Sequence, residues 1–210
     1  MDSFASIIDG MHFSTLCANL TLFLDAMSWV TVIWAMIISA CLTLALVHLL
    51  VWLQELEAWA NLLFSLSALG AAGVAACELW MMHAQTPAAF GMALRWFHAP
   101  AWVAVVSLVG FMRIYLRAGR LWLAWTVCGV RALSLILDFV CTPNLNYREI
   151  TSLRPVSFLG ESVAAAVGLP NPWMLVGQVS LVLALFFLLM PRSPSGDGVI
   201  GVRRCCWVAA

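Results

Sequence analysis

Arg131 falls in the middle of an apolar run, Trp122 to Val140, that is too long for an ordinary core helix and of the right length to cross a bilayer. A guanidinium at bilayer depth costs at least ~2.5 kcal/mol on insertion scales, so this side chain must face protein or trapped water and find an acceptor there. A chain that carries it in such a run therefore buries a polar interior. Composition agrees: 64% of the residues are hydrophobic and only 10% charged, whereas soluble domains carry about 25% charged residues. The ten basic residues are all Arg, which removes any chemistry that needs a lysine amine, a Schiff base included. A net charge of zero with scattered arginines argues against nucleic acid as a partner, because phosphate binding needs a clustered basic face. The partner that the composition demands is the lipid bilayer.

Hydropathy predicts an all-α, polytopic bundle of about five spans: Val30 to Val51, Ala58 to Met82, Phe97 to Leu116, Leu121 to Val140 and Trp173 to Met190. The chain then divides into a lead over 1–28, a transmembrane bundle over 29–190 with a long external loop over 142–172, and a disordered tail over 191–210. The lead has Asp2, Asp9 and Asp25 but no Arg, so it lacks the positive region of a cleavable signal peptide. With the N-terminus outside and the C-terminus in the cytoplasm, Arg113, Arg117, Arg120, Arg192, Arg203 and Arg204 fall inside, against Arg95, Arg148 and Arg154 outside. Tryptophans mark the same levels, Trp29, Trp80, Trp96 and Trp173 at outer ends and Trp52, Trp59 and Trp122 at inner ends. In the second span Ala68, Ala72 and Ala76 recur every fourth residue, with Gly70 and Gly73 among them, which predicts a central, closely packed helix.

Chemistry-bearing side chains are few. Arg131, Ser134 and Asp138 are spaced i, i+3 and i+7, which sets them on one helical stripe that must face the bundle. The topology brings Glu78, His83 and His98 to a depth similar to Asp138, and a polar outer-leaflet pocket follows. Such a pocket suits a proton, a metal ion, a quinone or a small amphiphile; the alternative is a charge pair that only fixes helix register. The loop adds Arg148, Glu149 and Arg154, placed to reach the acidic groups as a cap over the helix ends. The candidate ligand- or proton-sensing set is thus Glu78, His98, Arg131, Asp138, Arg148 and Glu149. A metal or haem reading through His83 and His98 has no supporting motif, so no cofactor is expected. The cysteines show no CxxC spacing; Cys41, Cys77 and Cys128 lie inside apolar runs, Cys141 at the end of one, and Cys205 and Cys206 in the tail. Gly196, Gly198 and Gly201 fit G-x-G-x-x-G without the strand and helix that give the pattern meaning, and no catalytic signature is present.

Three stretches carry a resemblance: Ser28 to Trp52; Ala58-Trp59-Ala60-Asn61-Leu62-Leu63-Phe64 with Cys77-Glu78-Leu79-Trp80-Met81-Met82; and Pro143-Asn144-Leu145-Asn146-Tyr147-Arg148-Glu149-Ile150 with Phe158-Leu159-Gly160-Glu161 and Asn171-Pro172-Trp173. Together they resemble the multi-pass membrane sensor region of bacterial two-component sensor histidine kinases. The resemblance implies an inner-membrane stimulus-sensing module that precedes cytoplasmic PAS and kinase modules and works as a homodimer with an unknown small ligand. It also implies that the chain stops about where those modules begin, as in a truncated or frameshifted copy, and that the chain itself is not an enzyme. Two other readings use the same residues: a small transporter or channel subunit with the charges along a path, and a haem-binding membrane oxidoreductase subunit.

Overall fold

The computed structural model describes residues 28–116, 120–140 and 144–189. The expectations for the lead before Ser28, for Arg117 and Cys141, and for the tail with its arginines, cysteines and glycine pattern lie outside the described residues.

Four helices are long and apolar enough to cross a membrane: α1 (Trp29–Gln54), α2 (Trp59–Met82), α3 (Pro87–Ile114) and α4 (Leu121–Val140). A two-stranded antiparallel sheet follows, β1 (Tyr147–Phe158) and β2 (Glu161–Pro170), and then the shorter apolar helix α5 (Met174–Leu189). The fold is therefore mostly helical with a small strand pair rather than all-α, and among the described residues four helices meet the length a crossing requires. At 1.5 Å per residue the 16 described residues of α5 rise about 24 Å, against the ~30 Å of a hydrocarbon core. Its start is fixed by Asn171, which accepts from the Met174 amide through its backbone carbonyl (3.0 Å) and from the Trp173 amide through Oδ1 (3.3 Å).

Helix α3 begins ten residues before the hydropathy window placed it, because a cap decides its start. Thr86 Oγ1 accepts from the Ala89 amide at 3.2 Å and Pro87 occupies the first turn, where its missing N–H costs nothing. Arg95 lowers the apparent hydropathy of the stretch before Phe97 without breaking the helix. Pro100 lies inside α3, a position tolerated in membrane helices where neighbours satisfy the freed backbone.

The second helix is the central one, packed against both α1 and α3. Ala68, Ala72 and Ala75 are buried on it, while Ala76 is exposed. A repeat of exactly four residues precesses around a helix of 3.6 residues per turn, so the strict stripe drifts out of the interface and Ala75 takes the place expected of Ala76. Close approach is set by Gly70, where an added Cβ would lie 2.6 Å from the Ala104 backbone nitrogen and 2.8 Å from the Pro100 carbonyl oxygen. Helix α1 packs on α2 through Ala45, whose carbonyl accepts from Ser65 Oγ at 2.7 Å. It leaves Met36, Leu42, Leu44, Leu46 and Leu50 exposed, the surface a lipid-facing helix presents.

The segment expected as an external loop folds into the hairpin. Leu159 (φ 51°) and Gly160 (φ 82°) form its two-residue turn, with positive φ at both central positions as the twist of paired strands favours. Register shifts between Tyr147 and Glu149 and between Ile150 and Ser152 mark bulges. Gly168 lies against them, and a Cβ there would meet the Glu149 carbonyl oxygen at 2.1 Å. A lone two-stranded ribbon is marginal in water. This one rests on the bundle through Tyr147, Ile150, Leu153, Ala164 and Ala166, packed on Ala84, Phe90 and Leu94. Its tip reaches α1: the Glu161 carboxylate accepts from the Ser28 hydroxyl and the Trp29 amide, an anion at a helix N-terminus, and Phe158 meets Trp34 edge-on at 6.1 Å between ring centroids.

A candidate buried site beneath the hairpin

Helix α4 turns one face inward, and Leu123, Ala124, Val127, Arg131, Ser134 and Asp138 are its buried residues. The lower part of this face packs with Val109 of α3 and Phe187 of α5 in an apolar cluster. The upper part is polar, as the i, i+3, i+7 spacing predicts: Arg131 is 3% exposed, Ser134 and Asp138 are fully buried. Ser134 donates to the Arg131 carbonyl oxygen at 2.9 Å, a local bond that satisfies the hydroxyl without a partner from another helix.

Asp138 holds the segment that leads from α4 into the hairpin. Its Oδ1 accepts from the Leu145 backbone amide at 2.8 Å, and His98 Nε2 of α3 lies 3.9 Å from the same oxygen. Leu145 is fully buried, and beside it Asn144 Oδ1 accepts from the Asn146 amide (3.0 Å) and the Tyr147 amide (2.8 Å). Asn171 closes the other side, its amide donating to the Asn146 carbonyl oxygen (2.9 Å) and its Nδ2 to that of Asn144 (3.3 Å). One polar knot thus ties the end of α4, both ends of the hairpin and the start of α5. Asn144 and Asn171 were not singled out from sequence, although two Asx residues flanking a folded segment were a signal that could have found them.

Arg131 looks the other way, into the space between α3 and α5. Its Nη1 makes a long contact of 3.5 Å to Ser180 Oγ, while Ser180 itself donates to the Gly177 carbonyl oxygen at 2.6 Å. Arg131 Nε has no partner, and neither has either ring nitrogen of His98 nor Asp138 Oδ2. No carboxylate lies within ion-pair distance of Arg131 among the described residues. Arg131 and His98 line a cavity of about 500 Å³ whose remaining wall is mostly apolar, with Phe90, Leu94, Phe97 and Leu181 among its residues.

The expected set does not meet in one place. His98 alone stands near two others, 3.9 Å from Asp138 and on one cavity wall with Arg131, while Arg131 and Asp138 do not pair with each other. Glu78 faces α1 instead, where its Oε2 accepts from Trp34 Nε1 at 3.1 Å. His83 pairs with Thr31 Oγ1 (3.2 Å) and with the Leu79 carbonyl oxygen (2.9 Å), so it is engaged apart from His98. Arg148 and Glu149 line a separate cleft of about 460 Å³ at the start of α3, together with Arg95. Arg95 donates from Nη2 to the Phe139 carbonyl oxygen at 2.7 Å and lies over the Phe139 ring, a cation at the C-terminus of α4. Arg154 lines a third cleft beside His83. No protein-family model, no curated protein and no solved structure matches the chain.

Proposed function

We propose that the chain is the membrane-embedded, stimulus-sensing part of a bacterial two-component sensor histidine kinase, seated in the inner membrane with the hairpin outside and working as a homodimer. The observation that carries the reading is the knot at Asp138. A single carboxylate on α4 holds the amide of Leu145, and the same segment is bonded to Asn171 at the head of α5. Anything that alters the cavity beside it acts on the hairpin and on α5 together. The wall residues Met174, Gly177, Gln178 and Leu181 belong to α5, so occupancy of the cavity bears directly on the helix that runs toward the C-terminal segment. A ligand shifts such packing only by its difference in affinity for the two arrangements, and Arg131, a buried cation with one long contact, is the group whose energy changes most when an acceptor arrives.

The resemblance of the stretches around Glu78, Tyr147 and Glu161 to kinase sensor regions supports the same reading. In a fusion of the chain to a cytoplasmic histidine kinase core, Arg131→Leu and Asp138→Asn are expected to change kinase output while leaving membrane insertion intact. Output equal to the unmodified fusion in both variants removes the site from the sensing role.

A further inference from the structure

Arg131 has an unusual position for a charged side chain: it is almost fully buried within a membrane-spanning helix, and among the described residues its Nε lacks a partner and no carboxylate answers it. The cavity it lines falls within the roughly 300–1,000 Å³ that small-molecule sites occupy. Most of that wall is aliphatic or aromatic, and its polar residues besides Arg131 are His98, Asn146, Tyr147 and Gln178. Asp138 is turned to the Leu145 amide and is not part of the wall, so no acidic side chain opposes an anion there. The cavity opens between α3 and α5, which touch only lightly, whereas α5 packs well on α4.

We infer that this cavity takes a single-chain carboxylate amphiphile, its carboxylate paired with the Arg131 guanidinium and its hydrocarbon body along the Phe90, Leu94, Phe97 and Leu181 wall. The planar guanidinium fork matches a carboxylate in two parallel hydrogen bonds, and pairing supplies the missing charge, which a neutral acceptor such as a ketone or ester does not. A two-chain phospholipid brings more hydrocarbon than a cavity of about 500 Å³ holds, so part of it would lie outside through the opening between α3 and α5. The inference rests on reading this cavity as the stimulus site, but occupancy and output are measured separately.

The test uses the full chain in phosphatidylcholine nanodiscs, titrated with radiolabelled decanoate after subtraction of protein-free discs. Saturable binding of about one decanoate per chain is expected, and methyl decanoate is expected to compete at least roughly tenfold less well because it offers no charge. Arg131→Gln should weaken binding by roughly tenfold or more, whereas Arg131→Lys, which keeps the charge, should lose less. Leu181→Trp enlarges a wall residue on α5 while leaving the charge in place and should also weaken binding, which keeps the inference testable if Arg131→Gln does not fold. Equal competition by acid and ester, or binding unchanged by Leu181→Trp, overturns it. So does loss of decanoate binding in discs containing phosphatidylglycerol, which assigns the cavity to a lipid phosphate. If binding follows these expectations while the kinase fusion ignores Arg131→Leu and Asp138→Asn, the ligand site stands and the sensing role falls. If the fusion responds to those changes and no decanoate binds, the sensing role stands and the ligand class falls.

Discussion

Replacing Gly70 by Ala adds one methyl group where α2 lies against the backbone of α3. The new Cβ would meet the Ala104 nitrogen at 2.6 Å, the Pro100 carbonyl oxygen at 2.8 Å and the Ala104 Cα at 2.9 Å. Comfortable separations between such atoms are about 3.5–4.0 Å, so α3 must retreat by on the order of 1 Å. All three atoms are backbone, and none can rotate aside. Overpacking of this kind costs about 1–3 kcal/mol, and a contact with two rigid helices belongs at the upper end. Alanine opposes this with about 1 kcal/mol of helix propensity, which leaves a net loss near 2 kcal/mol. Gly129 on α4 supplies the control, since a Cβ there meets nothing within 4 Å. Gly129→Ala gains the same propensity without the contact, so the two variants should differ by about 3 kcal/mol, the contact term alone. Unfolding of the purified protein in mixed micelles with increasing sodium dodecyl sulfate measures both. Equal midpoints for Gly70→Ala and Gly129→Ala would refute the close packing of α2 on α3.

Gly168→Ala should disrupt the hairpin, because the added Cβ falls 2.1 Å from the Glu149 carbonyl oxygen at a bulge; protease cleavage within 147–170 should rise sharply while the helices stay protected. Asp138→Ala leaves the buried Leu145 amide without its acceptor and should cost about 1–3 kcal/mol, whereas Asp138→Asn keeps an acceptor oxygen and should cost less, read by the same micelle titration. Glu161→Gln keeps hydrogen-bonding capacity but loses the charge at the start of α1, so it should destabilise by less than about 1 kcal/mol, and more at low salt than at high salt.

The stripe on α4 was legible because three polar residues in an apolar run have only one face on which burial is affordable, and helical spacing names that face. Glu78 shows the limit of the same reasoning. Its position tells that it packs inside, but α2 has neighbours on two sides, and the sequence of one helix does not say whether a buried group meets α1 or α3. The early start of α3 was written in Thr86 and Pro87, a local capping signal that a hydropathy window averages away. The hairpin was hidden for a different reason. Its turn uses Leu159 and Gly160 rather than Asn-Gly, Pro155 interrupts β1, and the bulges break the alternation that marks a strand. Pro155 is tolerated because a two-stranded ribbon consists only of edges. Ser180 had no signature as the contact of Arg131, since the pairing joins two helices 49 residues apart in the chain.

The hairpin and the α1–α2 turn lie at opposite ends of the bundle, the first over Met81 and Ala84 and the second beyond Gln54. Single cysteines at the exposed positions Ser157 and Leu56, in a background with the native cysteines replaced, can be labelled in intact cells with a membrane-impermeant maleimide. A bundle that crosses the bilayer with its buried Arg131 between the two faces predicts labelling of Ser157→Cys from outside and of Leu56→Cys only after permeabilisation. Labelling of both positions from the same side would contradict it.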